Sequence, residues 1–579
     1  MLWIEAGLVV MFLFLGLIFP SLGNGHFEKL ERGVKSLARR RILSVVLVGL
    51  FALGLRAAFL PILPIPEPVV QDEFGYLFSA DTFAHGRLTN PSHPMWTHFE
   101  TFHVFFHPTY SSIYPAAQGL ILAAGTLIGG KPFWGVWFSI GVMCAAICWM
   151  LQGWLPAPWA LVGGLIAVLR FGVFGFWANS YWGGAPGAIG GALVLGALPR
   201  IRARNHPSDA VVMGLGLAIL ANSRPYEGLI LSLPVCFALL AHLLGRDRLA
   251  LRSSFHRVVL PLTAVLAITA ACMGYYFWRV TGSPFRMPYQ VEREAYAVAP
   301  YFLWQSPRPI PVYHHEVLGK MFVDAEFKRG YLGAFSPFTF ISKVFWGWTF
   351  YLGPVLSFPL FMLGITLPYG LRWNHISPPI RFLIFTFMFA FVGQAVEVFF
   401  HPQYPAPLLS LMLALVLLAM RSVTQWHWRG KPTGRFLARS IPIICVLMFV
   451  LRALAGPLHL PVHQFYTAAW YQYPVQTFGR EGVIKQLQEH PGRHLVFVRY
   501  RPDHDQFFEW VYNDADIDHS RIVWARDMGP EKNQELIGYY NDREAWLLEA
   551  DDNPPRLLRY ATLDAYTGLD TAHQTEAPK

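Results

Sequence analysis

Residues 69–83 read VVQDEFGYLFSADTF. Two acids, Asp72 and Glu73, stand side by side a few residues after a run apolar enough for lipid. Carboxylates at a membrane boundary lose solvation and have to be compensated. The residues after the pair set a local frame. Phe74, Leu77, Phe78, Ala80 and Phe83 recur at helical spacing and predict a helix with one apolar face. Asp72 then suits the cap of a helix beginning at Glu73, with Glu73 in its first turn. That role uses one acid and leaves the other available for chemistry.

Working outward, the 579-residue chain is 54% hydrophobic and only 14% charged, against roughly 25% charged in an ordinary soluble domain. The apolar residues fall in runs long enough to span a bilayer as helix. The formal charge of +10 does not point to nucleic acid, because the basic residues cluster in short loops between apolar runs, as cytoplasmic loops do. The five cysteines all lie inside apolar runs, where they read as small buried hydrophobes rather than a disulfide or zinc framework.

The pattern predicts a polytopic α-helical membrane protein with about 12–13 transmembrane helices and a small C-terminal extramembrane α/β domain. Residues 1–41 supply an extra N-terminal helix, retained rather than cleaved, and a basic cytoplasmic loop. Helix 42–60 runs outward, so the polar loop 61–112 faces outside. Further crossings are expected near 133–152, 157–176, 183–198, 208–223, 229–244, 259–279, 347–369, 382–400, 404–421 and 438–456. Segment 114–130 is expected to enter the membrane only part way and 332–346 to lie at its interface. A second long outer loop covers 281–335. After 456 come a linker (457–474), an α/β domain (475–566) with strand-like runs at 492–500, 521–527 and 544–552, and a disordered tail (567–579). This is the organisation of a multi-pass protein of a cell (inner) membrane with its loops and C-terminal domain extracytoplasmic.

A carboxylate at the lipid–water boundary can take the proton from a substrate hydroxyl as it attacks an activated sugar carbon. A phosphate leaving group then needs a cation or a metal. On the outer face Arg224, Arg286 and Arg293 are candidates for the phosphate, since the guanidinium fork matches phosphate oxygens. Arg224 and Glu227, three apart in ANSRPYEGLI, also suit a plain ion pair. Glu100 and His103 in the histidine-rich first loop, Asn179, Tyr181 and Trp182 in NSYWGGAPG, and His401, Gln403 and Tyr404 in HPQYPAP are candidates to line a substrate cleft. Glu227 is a further cleft candidate, and Glu397, a lone acid in an apolar helix, has a functional reading of its own. The loop histidines carry no recognised metal spacing, so no metal ligand is named, and a divalent ion beside the sugar phosphate stays open.

These features together resemble the multi-spanning, polyprenyl-phosphate-dependent membrane glycosyltransferases of the GT-C superfamily, including mannosyl- and arabinosyltransferase-like members, and an uncharacterised bacterial branch with similar NSYWGG and SRPYEG segments. The resemblance covers residues 40–456. It rests on Asp72 and Glu73 in QDEFGYLFSADTFAHGRL, on Tyr114, Pro115 and Gln118 in YPAAQGLIL, and on Arg224. It implies that Asp72 and Glu73 are the catalytic acids, the first as base or acceptor-orienting group. It implies a polyprenyl-phosphate-sugar donor, an extracytoplasmic lipid, glycan or protein acceptor, and hexosyl or pentosyl transfer with inversion. No lysine precedes Pro115, so the phosphate-binding cation has to come from elsewhere. A transporter, or a lipid-linked phosphotransferase or ligase of the cell envelope, remains the alternative.

Overall fold

The computed structural model describes residues 1–245, 252–366, 376–462, 470 and 479–560. The chain is a mainly helical membrane protein. Seven described helices are long and apolar enough to cross a bilayer, and a bent pair makes an eighth span. Each of the twelve expected crossings falls on a described helix, of which Leu2–Ile18, Ala157–Phe171 and Pro207–Ala221 have only 17, 15 and 15 residues. Ala116–Gly129 has 14 residues, about 21 Å at the α-helical rise, too short for the hydrocarbon core. It packs beside Phe133–Trp154 closely enough that a Cβ on Gly135 would lie 2.0 Å from the Ile121 carbonyl oxygen.

Two boundaries differ from the sequence reading. The stretch expected to lie at the interface and the span expected to follow it form one broken unit. Pro337–Tyr351 and Gly353–Ile365 meet at 101°. Gly353 sits at the corner with φ +56°, and a Cβ there would stand 2.6 Å from Arg170 Nη2, so both conformation and space call for glycine. The second difference is Ala157–Phe171, which stops early. The chain then runs through a buried irregular stretch to Ala185, where the next helix begins.

A fully buried ion pair explains the acid in the first helix. Glu5 accepts from Arg170 Nη1 at 3.2 Å, from the Val355 N–H at 3.0 Å and from Trp470 Nε1 at 2.9 Å. Arg170 also donates to the Thr349 carbonyl. One carboxylate thereby ties the first helix to Ala157–Phe171 and to the broken pair. Of the cysteines, Cys144, Cys148 and Cys445 are buried as expected, whereas Cys236 and Cys272 lie on exposed helix faces.

Two short strands of the first loop, β1 (Val104–Phe105) and β2 (Ser111–Ser112), pair antiparallel. The C-terminal unit is a four-stranded sheet of β3 (Arg493–Arg499), β4 (Ile522–Arg526), β5 (Arg543–Glu549) and β6 (Arg556–Arg559), in the order β4-β3-β5-β6. Strand β3 pairs in parallel with β4 and β5, and β6 closes the edge antiparallel. Helices Arg480–Glu489 and Pro530–Tyr539 accompany it. The expected tail and residues 475–478 fall outside the described residues, as does most of the linker.

This unit sits directly on helix Gln71–Ala84. Phe74 stacks on Tyr512 with ring centroids 4.5 Å apart, and the Ala515 N–H donates to Asp81. The second loop reaches the same place, where Glu292 accepts from the His103 N–H. Both long loops and the C-terminal sheet therefore share one face of the bundle.

Candidate active site

The acidic pair separates into two roles. Helix Gln71–Ala84 begins two residues earlier than expected, and its cap comes from Glu73, not Asp72. Glu73 Oε2 accepts from the Val69 and Val70 N–H groups at 2.8 and 3.1 Å, and Oε1 accepts from the Tyr181 N–H at 2.8 Å. Burial pushes its carboxyl up to about 7, against these three donors that favour the charge. Both oxygens are occupied by backbone, so Glu73 is a positioning group that locks the helix start to the 177–184 stretch. The three backbone contacts give it this positioning role, where a catalytic one was expected.

Asp72 is less committed. Its Oδ1 accepts the Tyr114 hydroxyl at 2.5 Å, and its other oxygen takes no hydrogen bond among the described residues. Tyr114 stacks on Tyr76 at 4.0 Å and meets Tyr289 edge-on at 5.9 Å. Gly75 allows this approach, since a Cβ there would lie 2.7 Å from the Tyr114 ring. His103 stands alongside, paired through Nδ1 with Glu292 at 3.3 Å. Burial opposes its charge, but Asp72, Glu292 and Glu326 outweigh that and push it up to about 9. These carboxylates favour the charged ring, which places a cation beside Asp72.

Tyr289 also forms part of the wall of a cavity of about 480 Å³ shared by Arg224, Glu227, Arg293, Arg308, Glu397 and Tyr404. Within it, Arg224 is the group to explain. It is 7% exposed and lies over the Tyr404 ring at 4.8 Å, with Glu227 at 3.9 Å. Its guanidinium makes no hydrogen bond among the described residues, and its Nε is sealed from solvent without a partner. A buried cation with its donors unused is costly unless something else takes them. Tyr76, His401 and Tyr404 each feel the charges of both Asp72 and Arg224, so the carboxylate and the cation share one neighbourhood. His401, with burial the largest influence, is held down to about 4 and stays neutral.

The other expected site residues divide. Arg293 lines the cavity, but it is spent on Glu326 at 2.6 Å and on the Ala299 carbonyl. Arg286 is exposed, pairs with Glu294 and does not line the cavity, so it drops out of the phosphate set. Glu100 is not a cleft residue. It is buried under the C-terminal sheet, where Tyr296 and His314 donate to its carboxylate and Arg526 to its carbonyl.

Asn179, Tyr181 and Gln118 are taken up in structural hydrogen bonds. Asn179 accepts from Arg56 and donates to the Val173 and Gly175 carbonyls, the Tyr181 hydroxyl donates to Pro66, and Gln118 donates to the Tyr181 carbonyl. Trp182 packs on His401 at 4.9 Å. Gln403 is buried with neither side-chain atom hydrogen-bonded. None of Asn179, Tyr181, Trp182, Gln118 or Gln403 lines the cavity.

Sequence reasoning missed Tyr76, Tyr289, Tyr301 and Arg308. A signal existed for Tyr289, which stands four residues before Arg293 on helix Pro288–Ala295 and so shares its face.

Among the described residues no three His, Cys, Asp or Glu side chains gather as a metal site. The donor set near Asp72 suits a metal poorly. Both Glu73 oxygens accept backbone N–H groups, and His103 Nδ1 is paired with Glu292. No step below runs through a metal.

No family model and no curated protein matches the chain. Among solved structures it is similar to ArnT from Cupriavidus metallidurans in the apo state, with a TM-score of 0.47 and 13% identity over 92% of this chain and 95% of that one. It is also similar to the apo oligosaccharyltransferase of Archaeoglobus fulgidus, with a TM-score of 0.45 and 12% identity over 87% of this chain and 69% of that one.

Proposed function

We propose that this chain transfers a sugar from a polyprenyl-phosphate donor to a hydroxyl of an extracytoplasmic acceptor, at the outer face of a bacterial inner membrane. What supports it is a buried Arg224 lacking hydrogen bonds in a cavity whose wall includes Tyr289, the ring that meets Tyr114, which in turn holds a half-committed Asp72. An anionic phosphate would take the unused donors of Arg224, with Arg308 at the same cavity as a second cation. Asp72 would accept the proton of the acceptor hydroxyl. That oxygen forms a bond to the anomeric carbon from the side opposite the phosphate, the carbon–phosphate-oxygen bond breaks, and the electron pair leaves on the phosphate with inversion. His103 sets a cation beside Asp72, and Tyr114 aims it. Binding of the phosphate becomes stronger as its charge develops, which is how such a site lowers a barrier.

The experiment is transfer from a radiolabelled polyprenyl-phosphate-sugar pool by membranes carrying wild type or Asp72→Asn, at matched levels of folded protein. Loss of about 10²- to 10⁴-fold is expected for removal of a general base. Asp72→Asn activity within a few-fold of wild type would reject the assignment.

A further inference from the structure

The C-terminal sheet has a crevice of its own, apart from the cavity at Arg224. It is about 400 Å³ and opens where β3 and β4 end, closed on the far side by second-loop residues including Lys320. Ligands of open α/β sheets favour this place, outside the carboxyl ends of parallel strands. Five cations line it, Lys320, Arg499, Arg501, Arg526 and Lys532, against two carboxylates, Glu316 and Asp527.

Much of that charge is already matched. Asp527 accepts from Arg499 at 2.5 Å, Glu316 pairs with Lys320 at 2.9 Å, and the Arg501 guanidinium donates to the Asp551 carbonyl with Asp503 at 3.9 Å. Two buried groups are not fully used. Arg526, 4% exposed, donates through Nε to the Glu100 carbonyl at 2.7 Å and through Nη2 to Glu509 at 2.8 Å, while its Nη1 makes no hydrogen bond among the described residues. His504, 7% exposed, is fixed through Nδ1 by Asp551 at 2.6 Å and stacked under Tyr500, and its Nε2 has no partner. A carboxylate on Nδ1 sets the ring so that Nε2 is the free edge.

We propose that this crevice binds a phosphate group. Arg526 Nη1 contributes an N–H, His504 Nε2 contributes one when the ring is protonated, and the ammonium groups of Lys320 and Lys532 complete the charge. The phosphate belongs to a headgroup or glycan presented on the same face as Asp72. Calling that molecule the acceptor rests on the transferase reading, whereas the binding itself does not.

The test is equilibrium binding to the purified full chain, with inorganic phosphate as one probe and vesicles with or without phosphatidic acid as the other. Wild type should bind at least one saturably. Lys320→Gln with Lys532→Gln, and Lys532→Gln alone as a check on folding, should weaken that binding, by about tenfold or more for the pair. Arg224→Gln should retain it. Phosphatidic acid bound without inorganic phosphate would identify a lipid headgroup as the source, and the reverse a free phosphate or phosphorylated glycan. Equal affinity in wild type and the lysine variants, or no saturable binding of either probe, would overturn the site. Binding lost only in Arg224→Gln would also overturn it, while leaving the proposed transferase intact.

Discussion

Glu5–Arg170 and Asp72–Arg224 bury charge to opposite effect. Around Glu5 each carboxylate oxygen has a donor, supplied by an arginine, a backbone N–H and an indole. Around Asp72 one oxygen has a donor and the other has none, and Arg224 has no hydrogen bond at all among the described residues. In lipid, a charge that is paired and hydrogen-bonded holds helices together. A charge left short of partners is a standing cost that a ligand can remove. The first region is finished on folding, and under the proposed function the second is finished on binding.

The sharpest way to break the comparison is to neutralise the two adjacent acids separately. Asp72→Asn should lower transfer by about 10²- to 10⁴-fold and leave thermal unfolding in detergent unchanged. Glu73→Gln should do the reverse. It turns an acceptor of three backbone N–H groups into one that presents an NH₂ to at least one of them, at about 1–3 kcal/mol. A large activity loss with unchanged unfolding in Glu73→Gln would restore it to the catalytic set.

Next in size is the Glu5 knot. Glu5→Ala leaves Arg170 buried without its carboxylate and should cost about 3–5 kcal/mol, read as a lowered unfolding temperature. Replacing both Glu5 and Arg170 by Met should recover most of that loss. If the double variant were no better than the single one, the pair would not be a self-contained structural element.

Arg224 should behave unlike Arg170. Arg224→Gln removes a cation that has few partners to lose, so unfolding should hold or rise while transfer falls by about 10²-fold. Lysine should rescue only part, since it supplies a point charge and not a fork. Unchanged transfer in Arg224→Gln would leave the Glu227 pair as the reason for this arginine.

How much of this was legible in the sequence follows from the range of the signals. Helices announced themselves by apolar length and the C-terminal strands by short β-branched runs, because both are local patterns. The broken pair at Leu352 escaped, since its corner depends on Arg170, far away in the chain. Asp72 and Glu73 could be found as a pair, yet which one caps was decided by Tyr181, 108 residues on. Glu100 looked like a loop residue open to substrate because the sequence could not say that the C-terminal sheet would cover it. Arg293 and Arg286 looked equivalent to Arg224, and only the fold distributes Glu326 and Glu294 to them.

The smallest expected effect concerns His103, and it tests whether the outer site is electrostatically tuned. Its pKa in the folded chain is raised to about 9 by Asp72, Glu292 and Glu326 in spite of burial, against about 6.5 unfolded. A raised basic group binds its proton more tightly when folded, so its stabilisation is complete below about pH 6.5. It then declines between there and about pH 9, and is gone above. The magnitude is of order 1–3 kcal/mol. Unfolding temperature measured from pH 6 to 10 should therefore fall more steeply in wild type than in His103→Gln. Transfer should decline over the same window, because a neutral imidazole no longer places a positive charge beside Asp72. Parallel curves for the two proteins would separate His103 from both effects and leave Tyr114 as the group that holds Asp72 in place.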